Sequence, residues 1–241
     1  MRRFHAANPG ITGRAFARAG SYARLAACVP AGGRVLDLAC GDGLLMTHLG
    51  ARVVGLDLSR EELGLARGRT PRVVQGRAQA LPFADASFDA CTCHLAFMLF
   101  DDLERVVAEL ARVLVPGGVF VALLGGGPTA HGDDAFHRFL ALLAPHVTAP
   151  VRLGDPRAKS EAGWRALFAG WSEADFVRWE LDLGGTFDEV WAFLGASYEV
   201  PPTAAAPIKQ ALRAATVGLT DATGRVPCTA VTWLARVVRA G

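Results

Sequence analysis

The chain carries one decisive stretch, Val35-Leu36-Asp37-Leu38-Ala39-Cys40-Gly41-Asp42-Gly43-Leu44-Leu45, followed after a short spacer by Val53-Val54-Gly55-Leu56-Asp57-Leu58-Ser59. The pattern predicts a buried strand, a glycine turn, a helix and a second strand. The two glycines of the turn let the backbone bend and a ligand come close. The helix that follows opens with N–H groups that suit a carboxylate or phosphate. Asp57 ends the second strand, where a carboxylate can accept both hydroxyls of a ribose. The stretch therefore predicts a unit that holds a nucleoside-like cofactor.

Further segments follow this unit in a fixed order: Ala78-Gln79-Ala80-Leu81-Pro82-Phe83, Ser87-Phe88-Asp89 and Arg112-Val113-Leu114-Val115-Pro116-Gly117-Gly118. Together with the glycine turn and Asp57, they resemble the motifs of class I S-adenosylmethionine (SAM) dependent methyltransferases. The likeness is to the small-molecule type, the methyltransferase type 11 or UbiE-like domain. It covers about residues 20–125 well and the remainder loosely.

This resemblance implies an α/β fold with a Rossmann-like, doubly wound sheet. The sheet would have seven strands, mostly parallel with an antiparallel last strand, and a helical lid. Residues 1–241 would form a single SAM-dependent methyltransferase domain, with a cofactor-covering helix at about residues 12–28. Lid or insert segments are expected at about residues 126–172 and 185–222.

The resemblance also implies a cofactor and its contacts. The cofactor would be SAM, the product S-adenosyl-L-homocysteine (SAH), and no metal is expected. Gly41 and Gly43 would cradle the methionine end, Asp37 would order that turn, and Asp57 would hold the ribose. The other expected cofactor contacts are Tyr22, Ala39, Leu58, Ala78, Gln79 and His94.

Two positions depart from the family pattern. Arg77 stands where an acidic residue usually accepts from the adenine amino group, so we expect adenine to rely on the backbone of Ala78 and the amide of Gln79. Ala39 takes a place often held by glycine, and its methyl group is small enough for binding to survive.

Two histidines are candidates for the transfer step. His94 falls near the carboxyl end of the fourth predicted strand, the edge where doubly wound sheets bind ligands. A lone histidine is usually structural, and the two functional alternatives are contact with the cofactor and acceptance of a proton from a substrate hydroxyl. His131 is a candidate polar contact in the lid. The spacing of His131, His137 and His146 matches no common metal-ligand pair, and we expect His137 to be solvated.

Aromatic residues of the lid and of the sheet edge predict an apolar acceptor pocket, although core packing would explain them as well. The candidate substrate contacts are Phe97, Phe136, Phe139, Trp164, Trp191 and Tyr198. No Asn-Pro-Pro-Tyr type motif follows the fourth strand, which favours a small-molecule acceptor over nucleic acid or protein. Methylation at oxygen, carbon or nitrogen is open.

The charge and cysteine content of the chain limit its expected partners and compartment. The formal net charge is +2, from 25 basic and 23 acidic residues, which is no electrostatic footprint for nucleic acid. Five cysteines without a C-x-x-C pair favour a reducing cytoplasm over a disulfide or zinc scaffold. We see no signal peptide and no membrane-spanning run, and we expect a monomer or homodimer.

Three alternatives compete with methyl transfer. An NAD-dependent oxidoreductase would need a third glycine where Met46 stands, and it gives Asp37 no role. A SAM-binding protein with cyclase-like catalysis or a regulatory role would keep the same motifs. An interaction domain that only resembles an enzyme would bind no nucleoside.

Overall fold

A computed structural model describes residues 10–147, 154–172, 174–198 and 200–241, without the side chain of Ile11. Seven strands form one sheet in the order β3-β2-β1-β4-β5-β7-β6. Their bounds are β1 Val35–Leu38, β2 Val53–Asp57, β3 Val73–Gln75, β4 Phe88–His94, β5 Leu114–Pro128, β6 Asp175–Asp182 and β7 Thr229–Val238.

Pairing along the sheet is parallel from β3 to β5. Strands β5 and β7 are antiparallel. Gly117 and Gly118 exchange backbone hydrogen bonds with Arg239, directly after β7. Ser172 bonds Val238 and Leu183 bonds Cys228, so β6 and β7 are antiparallel as well. The predicted mixed, Rossmann-like sheet is confirmed, with β7 antiparallel to both of its neighbours.

Nine helices lie among the described residues. They are α1 Ile11–Arg18, α2 Ser21–Ala27, α3 Leu44–Leu49, α4 Arg60–Arg67, α5 Leu103–Val113, α6 Ala135–Leu143, α7 Glu161–Leu167, α8 Phe187–Ser197 and α9 Pro202–Thr216. Short 3-10 turns add Gly50–Arg52, Phe97–Leu99, Ala144–His146, Pro156–Lys159 and Val217–Leu219. None of the described helices is long and apolar enough to cross a membrane.

Helix α5 shows why these segments fold as they do. Its apolar side chains recur at helical spacing, and Leu103, Val106, Val107, Leu110 and Val113 are all buried. Burying each such side chain contributes about 1.5–3 kcal/mol. The sequence predicts Asp101 or Asp102 as the cap of this helix, and the structure shows Asp102 accepting from the Arg105 N–H.

Three expectations about elements need correction. The segment expected as one helix at residues 12–28 is two helices, because Gly20 adopts a left-handed φ of 67° between them. The sequence predicts that residues 115–118 end α5 and that residues 119–124 form the fifth strand, but the strand is much longer and includes Gly117 and the glycine run before Pro128. Ser59 and Glu62 have the spacing of a capping box, and Ser59 accepts from the Glu62 N–H, but its own N–H donates to Asp57.

The chain divides into two compact units. Unit 2 comprises Tyr22–Gly125, Leu153–Trp179 and Thr232–Gly241, and unit 1 comprises Met1–Ser21, Gly126–Arg152 and Glu180–Val231. The expected lid segment at 126–172 includes residues 148–153, which lie outside the described residues.

The core of unit 2 contains the buried faces of β1, β4, β5 and α5, with Trp164, Phe168, Ala235 and Val237 packed against them. Unit 1 has an aromatic core of its own. There Phe16 meets Phe193 edge-on with ring centroids 5.5 Å apart, and Phe136 meets the same ring at 6.4 Å.

Candidate functional site

The carboxylate of Asp37 lies in the interior of unit 2. The register of β1 and β4 places Asp37 directly opposite Thr92, whose Oγ1 donates to Asp37 Oδ1 over 3.0 Å. Asp37 is only 1% exposed. Its Oδ2 is the one buried side-chain oxygen or nitrogen without a hydrogen-bond partner among the described residues. Burial raises the pKa of Asp37 to about 7.

The turn after β1 is built from left-handed residues. Gly41 has φ 53° and Gly43 has φ 80°, and Ala39 reaches φ 58° although it is not a glycine. A Cβ added at Gly41 would meet nothing within 4 Å, so the space above this residue is open. A Cβ at Gly43 would lie 3.1 Å from the Cβ of Ala66. Gly41 thus leaves room for a ligand, whereas Gly43 lets the turn pack on α4.

Asp57 joins the ends of two strands. Its Oδ2 accepts from the Gly41 N–H and its Oδ1 accepts from the Ser59 N–H, each over 2.8 Å. Burial raises the pKa of Asp57, while these two backbone hydrogen bonds oppose the rise. The carboxylate is therefore fixed in orientation, and each oxygen keeps a lone pair for another donor.

Asp42, between the two glycines, is 8% exposed and is held by Arg69. Arg69 Nη1 donates to the Asp42 carbonyl over 2.5 Å, and Nη2 lies 3.5 Å from Asp42 Oδ2. Burial raises the pKa of the Asp42 carboxyl, and the nearby Arg69 charge lowers it.

Tyr22 and His94 contact each other at the edge of the same unit. Their ring centroids are 4.3 Å apart with the planes tilted by 32°. Burial raises the pKa of Tyr22 far above its usual value, and the charge of Asp42 adds to the rise. Burial lowers the pKa of His94 to about 3, so its imidazole is neutral at neutral pH.

The segment after β3 is clamped by α5. Arg112 donates through Nη2 to the Leu81 carbonyl and through Nη1 to the Phe83 carbonyl, over 2.9 and 2.7 Å. Glu109 Oε2 accepts from the Leu81 N–H over 2.6 Å. The apolar spacing of α5 predicts core packing only, so the sequence gives no indication of this clamp.

Of the residues expected beside adenine, Gln79 lies in that clamped segment and Ala78 directly before it. Ala78 is buried, whereas Arg77 is exposed and its backbone bridges to Ala80. The Gln79 side-chain amide donates to the carbonyl oxygen of Asp101 over 2.9 Å. The backbone oxygen of Leu58 accepts from Gln75 Nε2 over 3.1 Å.

The six aromatic candidates fall into two groups. Phe97 and Trp164 are fully buried in unit 2, with centroids 5.0 Å apart, and they pack against Phe120 and Phe168. In unit 1 the other four candidates contact one another at centroid distances of 5.6 to 6.2 Å: Phe136, Phe139, Trp191 and Tyr198. Trp191 and Tyr198 are only half-buried.

The lid histidines differ from one another. His131 is exposed, whereas His137 is partly buried and bonded at both ring nitrogens. Its Nδ1 lies 2.8 Å from Asp134 Oδ1 and its Nε2 lies 2.9 Å from the Thr129 carbonyl. The expectation of a solvated His137 is therefore wrong. Within the described ranges, no three His, Cys, Asp or Glu side chains are grouped to hold a metal ion.

Sequence reasoning also missed three polar neighbours of the glycine turn. Thr92 is a small polar residue in a buried strand, and only the strand register reveals that it faces Asp37. Asp42 gives no distinct signal, since aspartate beside glycine is common in turns. Arg69 gives no such signal, because its contact joins residues 27 positions apart.

The chain is similar in sequence to known methyltransferases. The family model described as a methyltransferase domain matches residues 36–122. A demethylmenaquinone methyltransferase of Corynebacterium kroppenstedtii is 42% identical over 170 residues, which are 64% of this chain and 73% of the relative. A malonyl-[acyl-carrier protein] O-methyltransferase of Pectobacterium atrosepticum is 38% identical over 123 residues, 48% of this chain and 49% of the relative.

Among solved structures, the YcgJ protein of Bacillus subtilis matches with a TM-score of 0.58 at 24% identity, over 92% of this chain and 98% of that chain. At this identity the likeness concerns the fold. The chain spans about half the length of the first curated relatives that it matches.

Proposed function

Because the chain belongs to the class I SAM-dependent methyltransferases, we propose that it transfers the methyl group of SAM to a small, apolar or aromatic acceptor. One observation carries the cofactor half of this proposal. Asp37 Oδ2 is buried without a hydrogen-bond partner, an arrangement that is costly unless a ligand supplies a donor. The α-ammonium group of SAM is a donor of the right charge.

The other residues of the turn fit the same cofactor. Gly41 leaves open space for the methionine end, and Gly43 and Ala39 keep the turn in its left-handed form. Asp57 has lone pairs left for the two ribose hydroxyls. Around the rest of the cofactor we assign Leu58 and Ala78 to the adenine faces, Gln79 to its edge, and Tyr22 and His94 to the methionine side.

SAM, when bound, supplies a methyl group that its sulfonium already activates. The protein then needs to orient the acceptor in line and to exclude water. A base is required only for an acceptor with a proton of high pKa. His94 is a weak base, since burial lowers its pKa to about 3, so we assign it to cofactor contact. The exposed His131 remains our candidate for a polar contact with the acceptor.

For the acceptor we propose a small planar or apolar molecule. The relatives named above include a demethylmenaquinone methyltransferase and a malonyl-[acyl-carrier protein] O-methyltransferase. These names favour an acceptor whose methylated atom is already nucleophilic or becomes so by loss of an acidic proton. Apolar contacts would come from Phe136, Phe139, Trp191 and Tyr198. Phe97 and Trp164 have no exposed surface, so a part in substrate binding is the weaker proposal for them.

Calorimetric titration with SAM, SAH and NAD in parallel tests the cofactor. We expect micromolar binding of SAM and SAH, none of NAD, and loss of binding in Asp57→Ala. Asp188→Ala, an exposed carboxylate in α8, is the control and should bind normally. Absence of binding to both sulfur nucleosides would overturn the proposal.

Radiolabelled SAM with quinols, phenols and short carboxylic acids then tests the acceptor. Label in an organic product, and its position by mass spectrometry, would identify the methylated atom. Binding of SAM with a product that carries no label would instead favour non-methylating catalysis or a regulatory role.

A further inference from the structure

The glycine turn carries a charged pair whose role the family assignment leaves open. Asp42 separates Gly41 from Gly43, and its carboxylate is buried. The side chain stays close to the turn, because Oδ1 accepts from the Leu44 N–H over 3.3 Å. Arg69 reaches it from beyond the end of α4 and bonds the Asp42 backbone as well. An ion pair thus sits inside the loop that we assign to the methionine end of SAM.

The two charges of this pair are unequal in their surroundings. Asp42 is almost completely buried, whereas the Arg69 side chain keeps 32% of its surface exposed. Water screens the exposed guanidinium more than the buried carboxylate. Their separation of 3.5 Å between Arg69 Nη2 and Asp42 Oδ2 is also longer than an optimal charge-assisted hydrogen bond. Negative potential at the turn is therefore only partly cancelled.

The field of Asp42 reaches other groups in the site. After burial, the charge of Asp42 is the largest contribution that raises the pKa of Tyr22, with Asp37 next. Arg69 acts on Tyr22 in the opposite direction. The field of the pair therefore acts at Tyr22, whose ring centroid lies 4.3 Å from that of His94.

SAM and SAH differ by one methyl group and one positive charge. At neutral pH SAM carries a sulfonium, an ammonium and a carboxylate, and SAH lacks the sulfonium charge. The ratio of their affinities therefore reports the electrostatic potential at the transfer site. We propose that Asp42 and Arg69 set this ratio: Asp42 favours the cationic cofactor over the neutral product, and Arg69 limits that preference. This inference rests on the proposed function and concerns specificity within it.

The pair has a clear consequence for turnover. Loss of the sulfonium charge in the reaction weakens the attraction to Asp42, so the product leaves a site that no longer favours it. Arg69 prevents the cofactor from being held more tightly than catalysis needs, and its two contacts fix the turn. Asp42 and Arg69 are in this sense specificity-determining residues.

Calorimetry with SAM and SAH on the full chain tests the proposal. Asp42→Asn should lower the preference for SAM over SAH by roughly three- to tenfold, because an isosteric amide removes the negative charge. Arg69→Gln should raise the same preference by roughly two- to fivefold, the smaller change reflecting screening. Arg69→Lys keeps the charge and should leave the ratio near that of the wild type.

Matched controls lie on α4 itself. Glu61→Gln and Arg67→Gln remove exposed charges from the same helix and should leave the ratio unchanged. Sinefungin, which is cationic and unreactive, should follow SAM in every variant.

The outcomes separate the two claims. A wild-type protein that binds neither SAM nor SAH overturns the proposed function, and this inference with it. A protein that binds both, with a ratio that Asp42→Asn and Arg69→Gln leave unchanged or shift in the same direction, overturns the inference alone. Equal weakening of both ligands would assign the pair a structural role. If Asp42→Asn does not fold, the affinity ratio of Arg69→Gln tests the proposal, because Arg69 is partly exposed and its replacement should be tolerated.

Discussion

Asp37 illustrates how a single residue can oppose the stability of its own fold. Its carboxyl has an ordinary pKa of 3.8, which burial raises to about 7 in the native chain. Between these values the native state binds more protons than the unfolded state, so stability falls as pH rises through that window. A residue that costs stability at neutral pH is typical of a binding site rather than of a core.

Asp37→Asn should therefore flatten the pH dependence of stability. We expect the melting temperature of the ligand-free variant to approach or exceed that of the wild type at about pH 8, with less benefit at about pH 5. SAM affinity should fall sharply in the same variant. Thermal unfolding at the two pH values measures the first effect. Asp85→Asn, an exposed carboxylate, should keep the wild-type slope, and an unchanged slope in Asp37→Asn would contradict the argument.

Ala39 offers a second test at this scale. Its φ of 58° strains any residue with a Cβ, and the family pattern often has glycine there. Ala39→Gly should raise the free energy of unfolding by about 1 kcal/mol, since relief of strain exceeds the added chain entropy. Urea denaturation measures it. Ala206→Gly, on an exposed position of α9, should lower stability by a similar amount, and a loss at both sites would refute the strain argument.

Among secondary-structure elements, those with local signals were predictable. The apolar spacing of α5 and the cap at Thr186, where a full capping box forms with Glu189, can be read from the sequence. Long-range contacts override the local signal elsewhere. The backbone after Val113 extends directly into β5 because Gly117 and Gly118 pair with Arg239, far along the chain.

Helix α6 is coupled to the loop before it by His137. Both ring nitrogens face acceptors, so the doubly protonated ring satisfies both contacts. The hydrogen bond to the Thr129 carbonyl, and then Asp134, raise the pKa of His137 above its ordinary 6.5. Its contribution to stability is then complete below about pH 6.5 and is lost as pH rises through the native pKa.

His137→Gln should remove this pH-dependent contribution. The melting temperature should fall relative to the wild type at about pH 6, and the difference should shrink by about pH 9. His146→Gln, at an exposed position after α6, is the matched control and should leave the profile unchanged. A constant difference across the pH range would show that His137 acts by packing alone.

The Arg112 clamp makes a prediction about the segment after β3. Arg112→Met removes its donors to the Leu81 and Phe83 carbonyls, so hydrogen exchange should accelerate across residues 79–85. SAM affinity should fall because Gln79 lies in this segment and Ala78 directly before it. Arg67→Met, an exposed arginine of α4, should change neither measurement. Faster exchange throughout the chain would indicate general destabilisation instead.

At the scale of the whole molecule, the methyltransferase motifs could be recognised because their residues are close in sequence. The matched domain runs from residue 36 to 122 without interruption. The aromatic candidates could not be sorted in the same way, since Trp164 and Trp191 show similar helical spacing. Their burial differs because of tertiary contacts. Trp164 packs against Phe97 and Phe120, whereas Trp191 packs against Phe139.

The contiguous motif region should not fold alone. Unit 2 also needs residues 153–179 and 232–241, which bring Trp164, Phe168, Ala235 and Val237 into its core. A fragment of residues 22–125 should therefore lack cooperative thermal unfolding and a dispersed amide spectrum. Circular dichroism and NMR of the fragment, with the full chain as reference, measure this. A cooperative transition in the fragment would contradict the division of the core.

The two hydrogen bonds that fix Asp57 also affect the thermodynamics of ligand association. Because Gly41 and Ser59 already hold its carboxylate, the ribose that we propose it binds would meet a side chain that is already ordered. Association should then have a modest negative heat-capacity change, set by the apolar surface removed from water, without the large excess that accompanies coupled folding. The temperature dependence of the binding enthalpy would accordingly be shallow and linear.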